Sequence, residues 1–221
     1  MRTVIFDLDG TLADTSGDLI AAANRCFENR GLGAPLDPRA DAATAFRGGR
    51  AMLRLGFERL QAADTETQVD REYPALLAHY GAAIDVHTRL YPGAMEAVEA
   101  LTGRGVAVGI CTNKPEGLAE ILLQRLGVRG AFASLIGADT LPVRKPDPAP
   151  YRAAVTQAGG AVERSLLVGD TVTDRETARA TGVPCVLVTF GPEGRAVAGM
   201  EPEALLDHFD ELPALVDRLL G

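Results

Sequence analysis

Apolar residues along this chain occur in two patterns. The first is a set of short unbroken runs that end in polar turns: Val4-Ile5-Phe6, Val106 to Cys111, Ser134 to Ala138, Ser165 to Val168 and Cys185 to Thr189. Such runs read as strands covered on both faces. The second is helical spacing with the punctuation of helix ends. It covers 94–102 after Tyr91-Pro92-Gly93, 116–126 closed by Gly127, 151–158 closed by Gly159-Gly160, a segment reaching Ala180, and 213–220. Leu141 to Pro150 holds four prolines and reads as a rigid loop, and Gly191 to Pro202 also reads as loop.

One region breaks this alternation. After the first strand, Asp14, Thr15, Ser16 and Asp18 are cap-forming residues, and a helix is expected over 18–30 with Gly31 as its stop. From Asp41 to Ile84 only helical material follows: 42–46, 50–63 and 66–83, with Pro74 either inside the last piece or breaking it. Elsewhere, strands alternating with helices predict a parallel sheet built from right-handed βαβ units. Ligands of such sheets gather at the carboxyl ends of the strands.

Composition narrows the function classes. With 221 residues the chain is long enough for a full core without staples, as one large domain or a core plus a small one. A formal net charge of −8 argues against a nucleic-acid or anionic-membrane partner. A small anionic substrate remains open where positive groups gather locally. The three cysteines, Cys26, Cys111 and Cys185, are widely spaced with no CxxC, which weakens zinc and redox readings. The chain starts straight into a strand, and no apolar run approaches the ~20 residues of a membrane span. A cytoplasmic protein, monomer or homodimer, is therefore expected.

Polar motifs sit at the predicted strand ends: Asp7 and Asp9 with Gly10-Thr11, Thr112-Asn113, Lys145 in the loop after the third strand, and Asp170 with Asp174. Residues i and i+2 of a strand share a face, so Asp7 and Asp9 are expected to point the same way, with Gly10 turning the backbone outward. Four converging acids need a neutralising cation, and an oxygen-only set suits magnesium. Magnesium, Lys145, the Thr112 hydroxyl and backbone N–H groups would together form a pocket for a phosphoryl group. A carboxylate can attack phosphorus, and a second acid can protonate the leaving oxygen.

Asp7-Leu8-Asp9-Gly10-Thr11, Thr112, Lys145-Pro146-Asp147 and Gly169-Asp170 with Asp174 resemble the four motifs of the haloacid dehalogenase-like phosphohydrolase superfamily, in family order and across the whole chain. The fold implied is α/β, a Rossmann-like parallel sheet core (1–15 and 88–221) with a small α-helical cap domain (16–87) inserted after the first strand. The resemblance makes Asp7 the nucleophile and Asp9 the general acid/base with its backbone carbonyl on the metal. Thr112 and Lys145 would hold the phosphoryl group, and Asp170 would ligate Mg²⁺ with Asp174 supporting the site. Gly10 and Asn113 join as substrate contacts. An acid at Asp9 favours phosphate ester chemistry over dehalogenation.

The segments Asp14 to Leu19, Cys111 to Pro115 and Arg144 to Pro150 are similar to those of the 2-phosphoglycolate phosphatase subfamily, which implies that ester as substrate. Other small phosphates, such as a sugar phosphate or nucleotide, and a β-phosphoglucomutase-like mutase stay open. In the cap, Arg47, Gly48, Gly49 and Arg50 precede a helix whose N–H groups face an anion in this reading, and either arginine is suited to a substrate carboxylate. Lys114 reads as structural or peripheral, and His79, His87 and His208 as surface or interface residues. A phospho-accepting receiver-like signalling protein also places acids, a threonine and a lysine at strand ends. It puts the phospho-accepting Asp on a middle strand and has no helical insertion, so Asp-x-Asp after the first strand and the helical block argue for the enzyme.

Overall fold

In the computed structural model, which describes Met1–Gly221, the chain enters through β1 (Thr3–Phe6) and a short β2 (Ala13–Asp14). It then runs through α1 (Ser16–Glu28), α2 (Ala42–Ala45), α3 (Gly49–Arg59) and α4 (Thr65–Ala82), and returns by β3 (Arg89–Leu90). Strands and helices alternate from there: α5 (Ala94–Gly103), β4 (Ala107–Cys111), α6 (Glu116–Arg125), β5 (Ser134–Ile136), α7 (Pro148–Gln157), β6 (Ser165–Gly169), α8 (Val172–Thr181) and β7 (Cys185–Val188). The chain closes with β8 (Ala204–Leu206) and α9 (Leu212–Leu220). Two compact units result, Met1–Ala13 with Leu90–Gly221, and Asp14–Arg89.

The first unit holds the parallel α/β sheet that the alternation predicts, in the order β5-β4-β1-β6-β7-β8. Every neighbouring pair is parallel. β1 is central and all four of its residues are buried, which is why it carries no polar alternation. Ile5, Cys111, Ile136, Leu167, Cys185 and Leu187 from successive strands form one core with Tyr151 and Val155 of α7. The Tyr151 hydroxyl is hydrogen-bonded to Ser165 at 2.7 Å, so the one polar atom that ring brings inside is satisfied.

Register decides what the sheet presents at its carboxyl end. Phe6 lies opposite both Ile110 of β4 and Val168 of β6, and Cys111 lies opposite Ile136 of β5. The chain therefore leaves the three middle strands within a residue or two of the same level, at Asp7, Thr112 and Asp170.

Three expectations change. The segment 191–202 is not all loop: Gly194–Met200 forms a 3₁₀ helix, and a sixth strand, β8, follows beside β7. With only three residues, β8 is too short to show a periodicity. α7 begins at Pro148 rather than Tyr151, because Asp147 accepts the Ala149 N–H at 2.8 Å and proline suits the first helical position. Thr15 makes no side-chain cap for α1; the Asp14 carboxylate accepts from Ser16 N–H and hydroxyl instead, at 3.0 and 2.6 Å.

The helical unit packs on aromatic contacts and close helix approach. Phe27 of α1 meets Phe57 of α3 edge-on with ring centroids 4.8 Å apart. α4 runs unbroken through Pro74, which is exposed. Asp18 is no cap either. Its buried carboxylate accepts the N–H of His87 (2.9 Å), the N–H of Thr88 (2.9 Å) and the Thr88 hydroxyl (2.8 Å), tying the start of the unit to its end.

Candidate active site

Oxygens of Asp7, Asp170 and Asp174 lie within 4.8 Å of one another at the end of β1 and β6. The Lys145 ammonium is placed among them, 2.7 Å from Asp174 Oδ1 and 3.2 Å from Asp7 Oδ2, with a side chain only 1% exposed. Asp7 Oδ1 accepts the Leu8 N–H at 2.7 Å. Asp174 Oδ2 accepts from the N–H groups of Asp170 and Thr171 and from the Thr171 hydroxyl, so both of its oxygens have donors from the protein. This close seat needs Gly169: a Cβ there would lie 2.3 Å from Asp174 Cγ. Asp170 Oδ1 accepts the Thr11 hydroxyl at 2.8 Å, while its Oδ2 is buried without a donor.

Three carboxylates share one ammonium, and two of them, Asp7 and Asp170, hold protons more tightly than usual. Burial, with Asp174 and Asp9 adding to it, lifts the Asp7 carboxyl to about 6 despite the opposing pull of Lys145. Burial and the neighbouring Asp174 and Asp7 hold Asp170 well above the carboxylate range. Burial works against the Lys145 charge, but Asp174 and Asp7 outweigh it and push that group above the usual lysine range. An oxygen-only cluster with a buried, donorless oxygen fits a hard divalent cation, which Asp7 and Asp170 would hold.

Asp9 is placed differently from the strand-based expectation. β1 ends at Phe6, so strand alternation does not reach it. A turn does the work: Leu12 and Ala13 N–H groups both return to Leu8 O, and Gly10 adopts a φ of 80°, open to glycine at little cost. Asp9 Oδ1 then meets Lys114 Nζ at 2.8 Å, with side chains 18% and 3% exposed. The Lys114 backbone N–H donates to Thr112 Oγ1 at 3.1 Å, leaving that hydroxyl's hydrogen for another acceptor. Asn113 donates its amide to the Lys145 carbonyl at 3.0 Å, linking the β4 loop to the Lys145 loop. The Gly10 N–H donates to Ala13 O at 2.9 Å, inside the turn.

A haloacid dehalogenase-like hydrolase family model matches residues 1–182. The chain belongs to the haloacid dehalogenase-like hydrolases. It is 37% identical over 98% of its length to a phosphoglycolate phosphatase of Agrobacterium fabrum, covering 93% of that protein. It is 39% identical over 96% of its length to a phosphoglycolate phosphatase of Rhodospirillum rubrum, covering 89% of that one. Among solved structures, one described as a predicted phosphoglycolate phosphatase of Haemophilus somnus superposes with a TM-score of 0.85 at 25% identity, over 97% of both chains. With these relatives the chain is a phosphoric monoester hydrolase.

Within this haloacid dehalogenase-like hydrolase, Asp7, Thr112, Lys145, Asp170 and Asp174 come from separate stretches of sequence to one strand-end cluster, and Asp9 stands beside it. Arg47, Gly48, Gly49 and Arg50 belong to the helical unit, at the start of α3. There Arg50 pairs with Asp70 at 2.6 Å and stacks 4.6 Å over the Tyr73 ring, and Gly49 admits Leu76, which would lie 2.6 Å from a Cβ. Two residues had no assigned role from sequence. Thr11 orients Asp170, and the only hint was its place directly after Asp-x-Asp-Gly. Lys114, read as structural or peripheral, is buried and paired with Asp9, and nothing in its neighbours Asn113 and Pro115 signals that partner. Burial pushes the Cys111 thiol up to about 12, so it is no rival nucleophile beside Asp7. No helix is long and apolar enough to cross a membrane.

Proposed function

We propose that the chain is a Mg²⁺-dependent phosphatase that hydrolyses 2-phosphoglycolate through an aspartyl-phosphate on Asp7. The observation that carries this is the cluster of Asp7, Asp170 and Asp174 around Lys145, with a second acid, Asp9, held next to it but outside it. Asp7 and Asp170 would hold the metal, with the Asp9 backbone carbonyl, while Asp174 fixes Lys145 and the start of α8. When bound, Mg²⁺ supplies positive charge against the phosphoryl oxygens and keeps the Asp7 carboxylate ionised.

In this reading Asp7 attacks phosphorus, the ester P–O bond breaks, and the departing oxygen takes a proton from the Asp9 carboxyl to leave as an alcohol. Water then attacks the phosphoryl group and gives a proton to the Asp9 carboxylate. Inorganic phosphate leaves and the Asp7 carboxylate is restored. Lys145 and the Thr112 hydroxyl neutralise and orient the transferring oxygens throughout. Asn113 serves by holding the Lys145 loop.

The substrate assignment is supported by the names of the relatives, and residues 16–87 are assigned as the cap that selects it. Phosphoglycolate carries a carboxylate besides the phosphate, which suits an arginine, Arg47 or Arg50, at the start of α3. The test is phosphate release from a panel of small esters with Mg²⁺ and with EDTA. Release that needs the metal and is fastest with 2-phosphoglycolate is expected. Preference for a sugar phosphate or nucleotide would retain the chemistry and refute the substrate, and release unaffected by EDTA would refute the metal.

A further inference from the structure

We infer that Lys114 is a positioning residue for the leaving-group side of the reaction, holding the Asp9 side chain, which reacts there as the protonated acid, where the ester oxygen departs. This rests on the reading of Asp9 as proton donor. Burying an ammonium costs several kcal/mol unless it is closely paired, and the Lys114 side chain is 3% exposed with Asp9 Oδ1 at 2.8 Å. The pair is not a surface contact that side-chain motion dissolves.

Its anchorage is specific at both ends. Asp9 sits in a turn that depends on the positive φ of Gly10, off the end of β1. Lys114 comes from the loop after β4, and its own N–H is bonded to Thr112 Oγ1. One residue thus joins, through its backbone, the hydroxyl assigned to the phosphoryl group and, through its side chain, the acid assigned to the departing oxygen. Lys145, in contrast, is bonded to Asp7 and Asp174 on the phosphoryl side. Each carboxylate of the Asp-x-Asp pair has its own lysine, and the two lysines divide the ester between them. Misplacing a reacting group by about 1 Å costs on the order of 100-fold in rate, so loss of the Lys114 contact falls on proton delivery.

Leaving-group dependence separates positioning from a general structural role. The departing alkoxide of 2-phosphoglycolate needs a proton, whereas 4-nitrophenolate leaves without one. The value of kcat/KM reads only as far as transfer to Asp7, before water attacks. Lys114→Met, which keeps the aliphatic stem, is expected to lower kcat/KM about 10- to 100-fold for 2-phosphoglycolate and by less than about 2-fold for 4-nitrophenyl phosphate. Asp9→Asn is expected to show the same selectivity more strongly, and the double variant to match Asp9→Asn alone. Lys114→Arg, which keeps the charge, is expected to recover part of the loss.

The aryl ester also reports that each variant is folded; if the methionine variant is not, Lys114→Gln is put through the same comparison. Equal losses on both esters, no loss, or a gain with the alkyl ester in a Lys114 variant whose Asp9 counterpart is selective would overturn the role of Lys114. If Asp9→Asn itself shows no selectivity, the proton-donor reading fails first and the Lys114 proposal with it.

Discussion

Two lysine–carboxylate groupings, Lys145 with Asp7 and Asp174 and Lys114 with Asp9, solve opposite problems. Lys145 faces Asp7 and Asp174 with Asp170 close by, so its pocket carries more negative charge than the protein neutralises. Lys114 faces Asp9, in a place nearer solvent. The first pocket carries surplus negative charge that a cation would offset, and burial, with the neighbouring acids adding to it, makes Asp7 and Asp170 hold protons more tightly. The second joins one acid to a buried lysine, and what it supplies is direction. A site that transfers a phosphoryl group needs both: surplus negative charge where a metal binds, and a settled acid where the leaving group departs.

The largest break in this contrast comes from Asp7→Asn, which removes the oxygen proposed to attack phosphorus. Turnover should fall by about 10⁴-fold or more while circular dichroism stays native, and retained phosphate release would dispose of the aspartyl-phosphate. Lys145→Met should be next. Removing the only ammonium among buried acids is expected to cost about 3–5 kcal/mol in urea unfolding of the metal-free protein, and an unchanged midpoint would mean that the cluster is solvated.

A pH series then tests the proton affinity of Asp7 itself. Because Asp7 titrates at about 6 in the fold against 3.8 in the reference state, the native protein holds the extra proton between those values. Its contribution is full below about pH 4 and is lost as pH rises through about 6, a change of about 3 kcal/mol. Metal-free Asp7→Asn should therefore gain on wild type in melting temperature across that window, and added Mg²⁺ should close the gap. Parallel melting curves at every pH would contradict the unbalanced cluster. The smallest effect belongs to the helical unit: Arg50→Ala loses an exposed pair worth up to about 1 kcal/mol, so a large rise in KM for 2-phosphoglycolate with little change in stability would reveal a substrate contact there.

The fold class and the chemistry-bearing residues were legible because they rest on order along the chain. Apolar runs mark strands, and polar residues directly after them lie at one end of a parallel sheet wherever register is level. That reasoning brings Asp7, Thr112, Lys145, Asp170 and Asp174 to one place. It stops at partner choice. The pairing of Lys114 with Asp9 joins a turn after β1 to a loop after β4, and sequence spacing carries no information on which of two nearby lysines meets which acid. Asp9 shows the same limit: its position was expected from strand alternation, while the turn closed on Leu8 O and Gly10 is what sets it. β8 was invisible because three residues beside an irregular segment show no period, and it is defined by the edge of β7 that it covers.

The Asp18 clamp bears on how such a chain can be assembled and altered. By accepting from His87 and Thr88, Asp18 closes the helical insert on itself within a few residues of its two ends. To the strand-and-helix host, a long insertion then has the entropy of a tight connection rather than of an open loop, whose closure cost grows with length. The insert behaves as a cassette with its ends already brought together. It is the segment to exchange between relatives, cut outside Asp14 and Arg89 so that the clamp travels with it.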